Sequence, residues 1–477
     1  MRENGQTGKG LPVLRGICFR KIETFSQKKQ LQNDGVYFIL KRRGEWLRMK
    51  EFLSANDPRF FAETDSKTIQ NALDAAAGGT VRTVVIPRFC ERTAREEWVI
   101  EQTLLLPDDV TVVLDDCRLV LAENVYQNIF RNRNMYTCGD QQHGIHIVGR
   151  GNAVLDGGIP NDLHESTSLK DGRPHVRFNN LILLNHVTEY SIRNITCRNM
   201  RYWAINQIAC THGSLSDIHF ESGTYVPNQD GINFRIGCSH CSVEHITGQT
   251  GDDTVALSAF PLGGDRTLLP PALSPDIHDI TIRDVSSCTH QTIVALRNTD
   301  GAKLYNITIE NIRDNGGEYR PWAVLRIGEP FYFRNRLSVL GETTHIRVDG
   351  VHSLSQGTVF LNVALQDTVI RNVQADGTSM YAISTFYPLL DDEPDVTKNG
   401  ITLEDVTFES IHYNGSAGHC DSPYLNLVGS DYDGAAMDFR CMRKEDTLTN
   451  VVCRNVTCRA GAVRLAQTRS LPIVFAE

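Results

Sequence analysis

From residue 190 onward one short pattern of apolar and polar positions keeps returning. An apolar residue, a variable one, an Asn, Asp or His, and then Ile or Val appear as Ile192-Arg-Asn-Ile195, Leu215-Ser-Asp-Ile218, Val243-Glu-His-Ile246, Ile282-Arg-Asp-Val285 and Ile309-Glu-Asn-Ile312. The series runs on through Ile346-Arg-Val-Asp-Gly-Val351, which is longer, then Ile370-Arg-Asn-Val373, Leu403-Glu-Asp-Val406 and Cys453-Arg-Asn-Val456. The final Ile or Val of each copy recurs at intervals from 22 to 50 residues, a base period in the low twenties with insertions. A period of that size made of strands and turns, with no helix per copy, argues against leucine-rich, ankyrin and tetratricopeptide arrays. It predicts an all-β chain, a parallel β-solenoid in which each copy is one coil. Equivalent strands then stack ~4.8 Å apart, the Ile, Val and Leu fill a continuous core, and the corner Asn or Asp satisfies turn backbone or forms ladders. A β-propeller fits less well, because its blades need four strands each.

Upstream, Ile69, Leu73 and Ala76 lie on one helical face in Ser66–Ala77, with Asp65 as a possible N-cap and Gly78-Gly79 as the stop. This predicts a helix that caps the cylinder. Short strands are expected at Thr83–Ile86, Trp98–Ile100, Val110–Leu114, Arg118–Leu121 and Ile145–Val148. Residues 49–477 thus read as one elongated domain. Residues 1–48 are basic and lack the pattern, and two accounts stand. They form a small N-terminal element over the end of the fold, or translation starts at Met49 and Lys41-Arg42-Arg43-Gly44-Glu45, encodable by purine-only codons, is a ribosome-binding site read as protein.

Composition narrows the function classes. Lys and Arg total 48 against 57 Asp and Glu, a net charge of −9 that supplies no field for a phosphate backbone, so nucleic acid is not an expected partner. Apolar residues make up 41 %, enough for a core, and no uncharged apolar run of membrane-spanning length occurs, so no membrane partner is expected. The polar first ten residues lack a signal-peptide pattern, which makes a cytoplasmic protein the default. The 13 Cys are odd in number and scattered, which suits reduced, buried thiols. Cys238-Ser-His-Cys241 has the look of half a zinc site, but no second half follows, and strand cysteines packed in a core explain it better.

A solenoid brings residues one period apart into columns, so chemistry should show as polar residues repeated from coil to coil. Asn228-Gln-Asp230-Gly231 precedes Asp252-Asp253 by one coil; His290 and Arg326 follow at further coil intervals. Three Asp on neighbouring coils repel and raise one another's pKa. An inverting glycosidase uses such an arrangement, with a protonated carboxyl to donate to the leaving oxygen and an ionised one to activate water, ~6.5–9.5 Å apart. Asp252 and Asp253 would face opposite ways on a regular strand, so a turn or bulge at Gly251 is expected. A calcium site or Asp-capped turns are the other reading of the same residues.

Asn228-Gln-Asp230-Gly-Ile232, Gly251-Asp-Asp253, a His one coil later and Arg326-Ile resemble the signature of the polygalacturonase family, glycoside hydrolase family 28. Trp203-Ala-Ile and Arg173-Pro174 are similar to further family segments, and the likeness spans roughly residues 60 to 465. The resemblance implies a right-handed parallel β-helix of the pectin-lyase-like kind that hydrolyses pectic or related plant oligosaccharides by single-step inversion, with no cofactor and no metal. It implies Asp252 as general acid, Asp230 and Asp253 as the groups that hold and deprotonate water, and His290 tuning the acid or holding sugar hydroxyls. Asn228, Arg326, Trp203 and Arg173 would bind substrate. The chain also departs from the pattern. Thr289-His290-Gln291 stands where the family has Gly-His-Gly, Gln229 replaces Thr, and Gly328 replaces the Lys that charges the galacturonate site, so Arg297 is a candidate for the missing charge. Loop residues 164–177, Tyr225, Tyr319 to Trp322, Phe331 to Phe333 and Phe386-Tyr387 could wall an exo-acting pocket. A lyase or epimerase on the same fold, and a non-catalytic carbohydrate-binding solenoid, are the alternatives.

Overall fold

The computed structural model describes residues 51–135, 140–158, 179–222, 228–262, 264–328, 336, 338–385, 402–416, 434–439 and 447–458, with short strands at 39–42, 45–48, 418–419, 431–432, 465–466 and 473–476. Each coil from residue 182 contributes a short strand and a long one. The short strands, such as Ile205–Ile208, Ile232–Arg235, Val255–Ala259, Thr292–Asn298 and Ala323–Gly328, pair in parallel in a sheet of 12 strands. The long strands, such as Ser239–Gln249, Ile277–Cys288 and Leu304–Asp314, stack in a sheet of 18. This is the expected parallel β-helix. Ile192, Leu215, Val243, Ile282, Ile309, Val348, Ile370, Phe408 and Cys453 are register partners down one column of the core, all of them buried.

The long strands are not plain strands. In Leu304–Asp314 the buried positions are 304, 307, 309, 312 and 314, spaced by three and two alternately rather than by two. Each three-residue step contains a residue at positive φ, here Asn306 at 55° and Asn311 at 53°. That left-handed residue adds one position without adding a side chain to the core, as a bulge does, and turns the chain while keeping apolar residues inward. Every coil repeats it. One column of such corners holds Asn194, Asp217, His245, Asp284, Asn311, Gly350, Asn372, Ser410 and Asn455, and another, five residues earlier in each coil, holds Glu189, His212, His240, Asp279, Asn306, His345, Asp367, Asp405 and Asn450. Left-handed backbone costs most residues ~1–2 kcal/mol, least for Gly and, among residues with a side chain, for Asn and Asp. Side-chain bonds between coils add to this: Asn306 donates to Asp279, Asn311 to Asp284, Asn372 to Asp349 and Asn450 to Asp405.

Two repeat copies shift accordingly. Register pairs Ile370 with Phe408 and Val373 with Ile411, so Leu403-Glu-Asp-Val406 occupies the first corner and the copy equivalent to the others is Phe408-Glu-Ser-Ile411. The two corners demand the same pattern, which is why the sequence confuses them. Likewise Val348 and Val351 pair with Ile309 and Ile312, so the copy ending at Val351 is of ordinary length, with Gly350 as its left-handed residue.

The cap is the helix Asp65–Gly78, whose Ile69, Ala72, Leu73 and Ala76 join the core cluster. Its N-cap is Thr64 rather than Asp65: the Thr64 hydroxyl accepts from the Lys67 amide at 3.1 Å. Asp65 is fully buried and serves elsewhere, accepting from Arg92, from Arg95 at 3.0 Å and from the Val99 amide at 2.9 Å. Among the described cysteines, Cys90, Cys117, Cys197, Cys210, Cys238, Cys241, Cys288 and Cys453 are buried free thiols. No helix among the described residues is long and apolar enough to cross a membrane.

The corner geometry is directly testable at Asn311. Asn311→Val forces a β-branched residue into left-handed backbone and deletes the bond to Asp284, and is expected to lower the unfolding free energy by about 1–2 kcal/mol. Asn311→Gly is expected to cost clearly less. Chemical denaturation of the two variants checks the ordering.

Candidate active site

The three predicted Asp converge. Asp230 lies two residues before the short strand Ile232–Arg235, and Asp252 and Asp253 lie in a bend just before Val255–Ala259. The bend forms because the Gly251 and Asp252 amides both donate to the Gln229 carbonyl, at 3.1 and 3.3 Å, which ties the two coils together at this point. Asp252 and Asp253 are therefore not opposed across a strand, and one carboxylate oxygen from each of the three Asp lies within 4.8 Å of the others. Gly231 is required by close approach: a Cβ there would sit 2.5 Å from the Thr254 carbonyl oxygen.

The three carboxyls have different surroundings. Asp253 is buried and ion-paired through Oδ2 with Arg297 at 3.2 Å and Arg326 at 3.3 Å, while its buried Oδ1 has no hydrogen-bond partner among the described residues. Asp252, partly exposed, accepts from the Asn228 and Asp253 amides at 2.8 and 2.9 Å. Burial, and then the charge of Asp253, push Asp252 up to about 6 despite those amides. Asp230 is buried and raised well above the usual carboxylate range, first by burial and then by the Asp252 and Asp253 charges, with Asn233 donating to its Oδ2 at 3.1 Å. The cluster thus combines a carboxyl that keeps its proton to mildly acidic pH with an ion-paired carboxylate beside it.

Asn228 contributes through its backbone, at φ 68°, by donating its amide to Asp252. Thr289 donates its hydroxyl to the Asp252 carbonyl at 2.5 Å, which sets His290 on the adjoining coil. The His290 ring packs on Tyr319, centroids 3.9 Å apart, and burial lowers its pKa against the opposing charge of Glu318. The Gln291 side chain accepts from Trp322 Nε1 at 2.6 Å, and the Trp322 ring lies 5.4 Å from the Arg326 guanidinium.

Arg297 and Gly328 are one coil apart in the same column of the 12-stranded sheet, since Leu296 pairs with Ile327. The Arg297 guanidinium thus stands in the column of Gly328, on the neighbouring coil. No side chain fits at 328 on this backbone, where φ is 120° and a Cβ would lie 2.0 Å from the Asn362 carbonyl oxygen. The same column holds Arg235, which pairs with Ser258, which pairs with Arg297. Sequence reading missed Arg235. Its position three residues beyond the core residue Ile232, as Arg297 follows Val294, was the available signal. Its guanidinium covers the Trp203 ring at 4.4 Å, so Trp203 meets a cation in addition to whatever else it contacts. Phe260 lies 5.6 Å from both Arg235 and Arg297. Arg173, the loop 164–177, Tyr225, Phe331 to Phe333 and Phe386-Tyr387 lie outside the described residues.

No protein-family model and no curated protein matches the chain. Solved structures do. The A-module of a mannuronan C-5 epimerase from Azotobacter vinelandii is similar at a TM-score of 0.55 and 12 % identity, over 90 % of this chain and 100 % of that one. These likenesses are of fold. A surface adhesin of Streptococcus pneumoniae is similar at 0.51 and 11 % identity, over 87 % of this chain and 94 % of that one. An exopolygalacturonase from Thermotoga maritima has a TM-score of 0.45 and 13 % identity, over 76 % of this chain and 87 % of that one. The parallel β-helix is thus shared with an enzyme and with an adhesin.

The raised Asp252 carboxyl makes stability depend on pH. The unfolded chain releases this proton near pH 4 and the folded one near 6, so the contribution is full below about 4 and is lost as pH rises through about 6. In Asp252→Asn the fall in unfolding midpoint between pH 5 and 7 is expected to shrink, as followed by circular dichroism.

Proposed function

We propose that the chain is a glycoside hydrolase that cleaves uronate-containing oligosaccharides by single displacement at the Asp230, Asp252 and Asp253 cluster. The observation that carries the reading is the division of labour within that cluster. Asp252 retains a proton up to about pH 6 and can donate it to the leaving glycosidic oxygen. Asp253, with two guanidinium partners, is the base. Asp230, raised further, positions the water rather than deprotonating it. Arg297 and Arg326, with Arg235 in the same column as Arg297, form a cationic wall suited to a sugar carboxylate.

The carboxylate oxygens are closer than the ~6.5–9.5 Å that places water between acid and base. The nucleophile therefore belongs beside the cluster, at Asp253 Oδ1, the buried oxygen with no partner among the described residues. The short spacing itself favours a second reading, a retaining double displacement, whose carboxyls stand ~5–5.5 Å apart. A panel of defined pectic and other plant oligosaccharides, with the product anomer followed by NMR, separates the two. An inverted first product and release of single residues from chain ends are expected. A retained anomer would overturn single displacement, and an unsaturated uronide product would point instead to elimination on the same fold. On the substrate that the panel identifies, kcat/KM is expected to fall as pH rises past about 6, and Asp252→Asn to lose turnover while keeping binding.

A further inference from the structure

Cys238-Ser-His-Cys241 looks in sequence like half a zinc site, and the structure splits it. His240 occupies a left-handed corner at φ 53°, so the cysteines on either side of it, three positions apart, both turn into the core. The histidine turns outward. There it meets the next coil, where Ser239 pairs with His278 and Cys241 with Ile280, which sets Asp279, itself a left-handed corner at φ 55°, opposite His240. His278 Nδ1 lies 2.6 Å and His240 Nδ1 3.8 Å from the same oxygen, Asp279 Oδ2. One ligating atom from each of the three lies within 4.8 Å of the others.

We propose that His240, His278 and Asp279 form a surface site for a divalent transition-metal ion of the zinc class. Two imidazoles and one carboxylate suit zinc, nickel or copper, whereas calcium and magnesium take oxygen ligands almost exclusively. Tetrahedral zinc bonds of ~2.0–2.1 Å put ligand atoms a little over 3 Å apart. The separations of 2.6 and 3.8 Å lie on either side of that value, so small side-chain rotations complete the site. The surroundings hold the ligands in place. Asp279 Oδ1 accepts from Asn306 at 3.1 Å, which aims Oδ2 at the imidazoles. The His278 ring stacks on Tyr305 with centroids 4.6 Å apart, and the His240 ring stacks on His212 at 5.1 Å. The side chains of His240, His278 and Asp279 are 49, 26 and 33 % exposed, so an ion reaches them from solvent. The site lies on the long-strand sheet, away from the strands that carry Arg297 and Arg326, and ties Ser239–Gln249 to Ile277–Cys288. Those two strands are separated in sequence by the insertion that follows Val255–Ala259, which gives a cross-link there a structural use.

The test is isothermal titration of the untagged, chelator-stripped full chain with Zn²⁺, and of the same protein with Co²⁺ read by visible absorption. One ion per chain at micromolar affinity or tighter is expected, with the intense Co²⁺ bands of a low-coordinate site. His240→Asn and Asp279→Asn keep residues that tolerate left-handed backbone, and each is expected to weaken binding at least tenfold, with circular dichroism confirming the fold. His245→Asn, at the other corner of the same strand, is expected to bind as the parent does. Absence of saturable binding, or binding that survives both variants, would overturn the proposal. So would binding lost only in Asp252→Asn, which would place the ion at the acid cluster.

Discussion

The molecule depends on a left-handed residue placed twice in every long strand. A β-strand alternates its side chains strictly, so a strand that turns a corner would send its next apolar residue into solvent. One extra residue at positive φ restores the inward direction after the turn, and inward positions then follow a three-two rhythm such as 304, 307, 309, 312 and 314. Because neighbouring coils turn at the same places, Ile lies over Ile and Asn over Asp, and the core column from Ile192 to Cys453 is continuous. Each long strand has two such corners but five inward positions, as in Leu304–Asp314, so ~1.5–3 kcal/mol from each buried Ile, Val or Leu outweighs the backbone penalty of ~1–2 kcal/mol per corner.

Stacking also explains how a chain with a net negative charge can afford three carboxyls in one place. The turns before successive short strands lie over one another, so Asp230, Asp252 and Asp253 are neighbours in space although a coil separates them in sequence. The same sheet delivers Arg235, Arg297 and Arg326 from three coils, and two of them reach Asp253. Direct ion pairs offset the repulsion at Asp253, whereas at Asp230 and Asp252 burial and the neighbouring carboxylates outweigh the more distant Arg297 and leave both raised. On the other sheet the corner column gathers His212, His240 and Asp279 by the same repetition, so the fold concentrates like chemistry wherever its period places it.

Much of this was legible beforehand. Recurring Ile-x-Asn-Ile units announce a solenoid because a stacked core needs the same residue type at each coil, and Ile69, Leu73 and Ala76 announce the capping helix. Two of the differences share one cause. By sequence Asp405 matches Asp217 and Val351 ends a longer copy, because both corners of a coil present the same four-residue pattern and only strand pairing distinguishes them. Asp65 resembled an N-cap by residue type, but its carboxylate is drawn to Arg92, Arg95 and the Val99 amide from beyond the helix. Arg235 went unnoticed because nothing local distinguishes it from any strand arginine.

The sequence by itself determined the repeat, the identity of the corner residues and the three acids one coil apart, since each follows from local periodicity and from the backbone preferences of Asn, Asp and Gly. Tertiary structure alone decided which charges meet. Whether Arg297 can stand in for the side chain absent at Gly328, whether Asp253 has cationic partners, and whether His240 faces a core cysteine or an aspartate on the next coil all depend on register between coils. Register is set by the whole stack rather than by any segment, because a shift at one coil would misalign the apolar column above and below it.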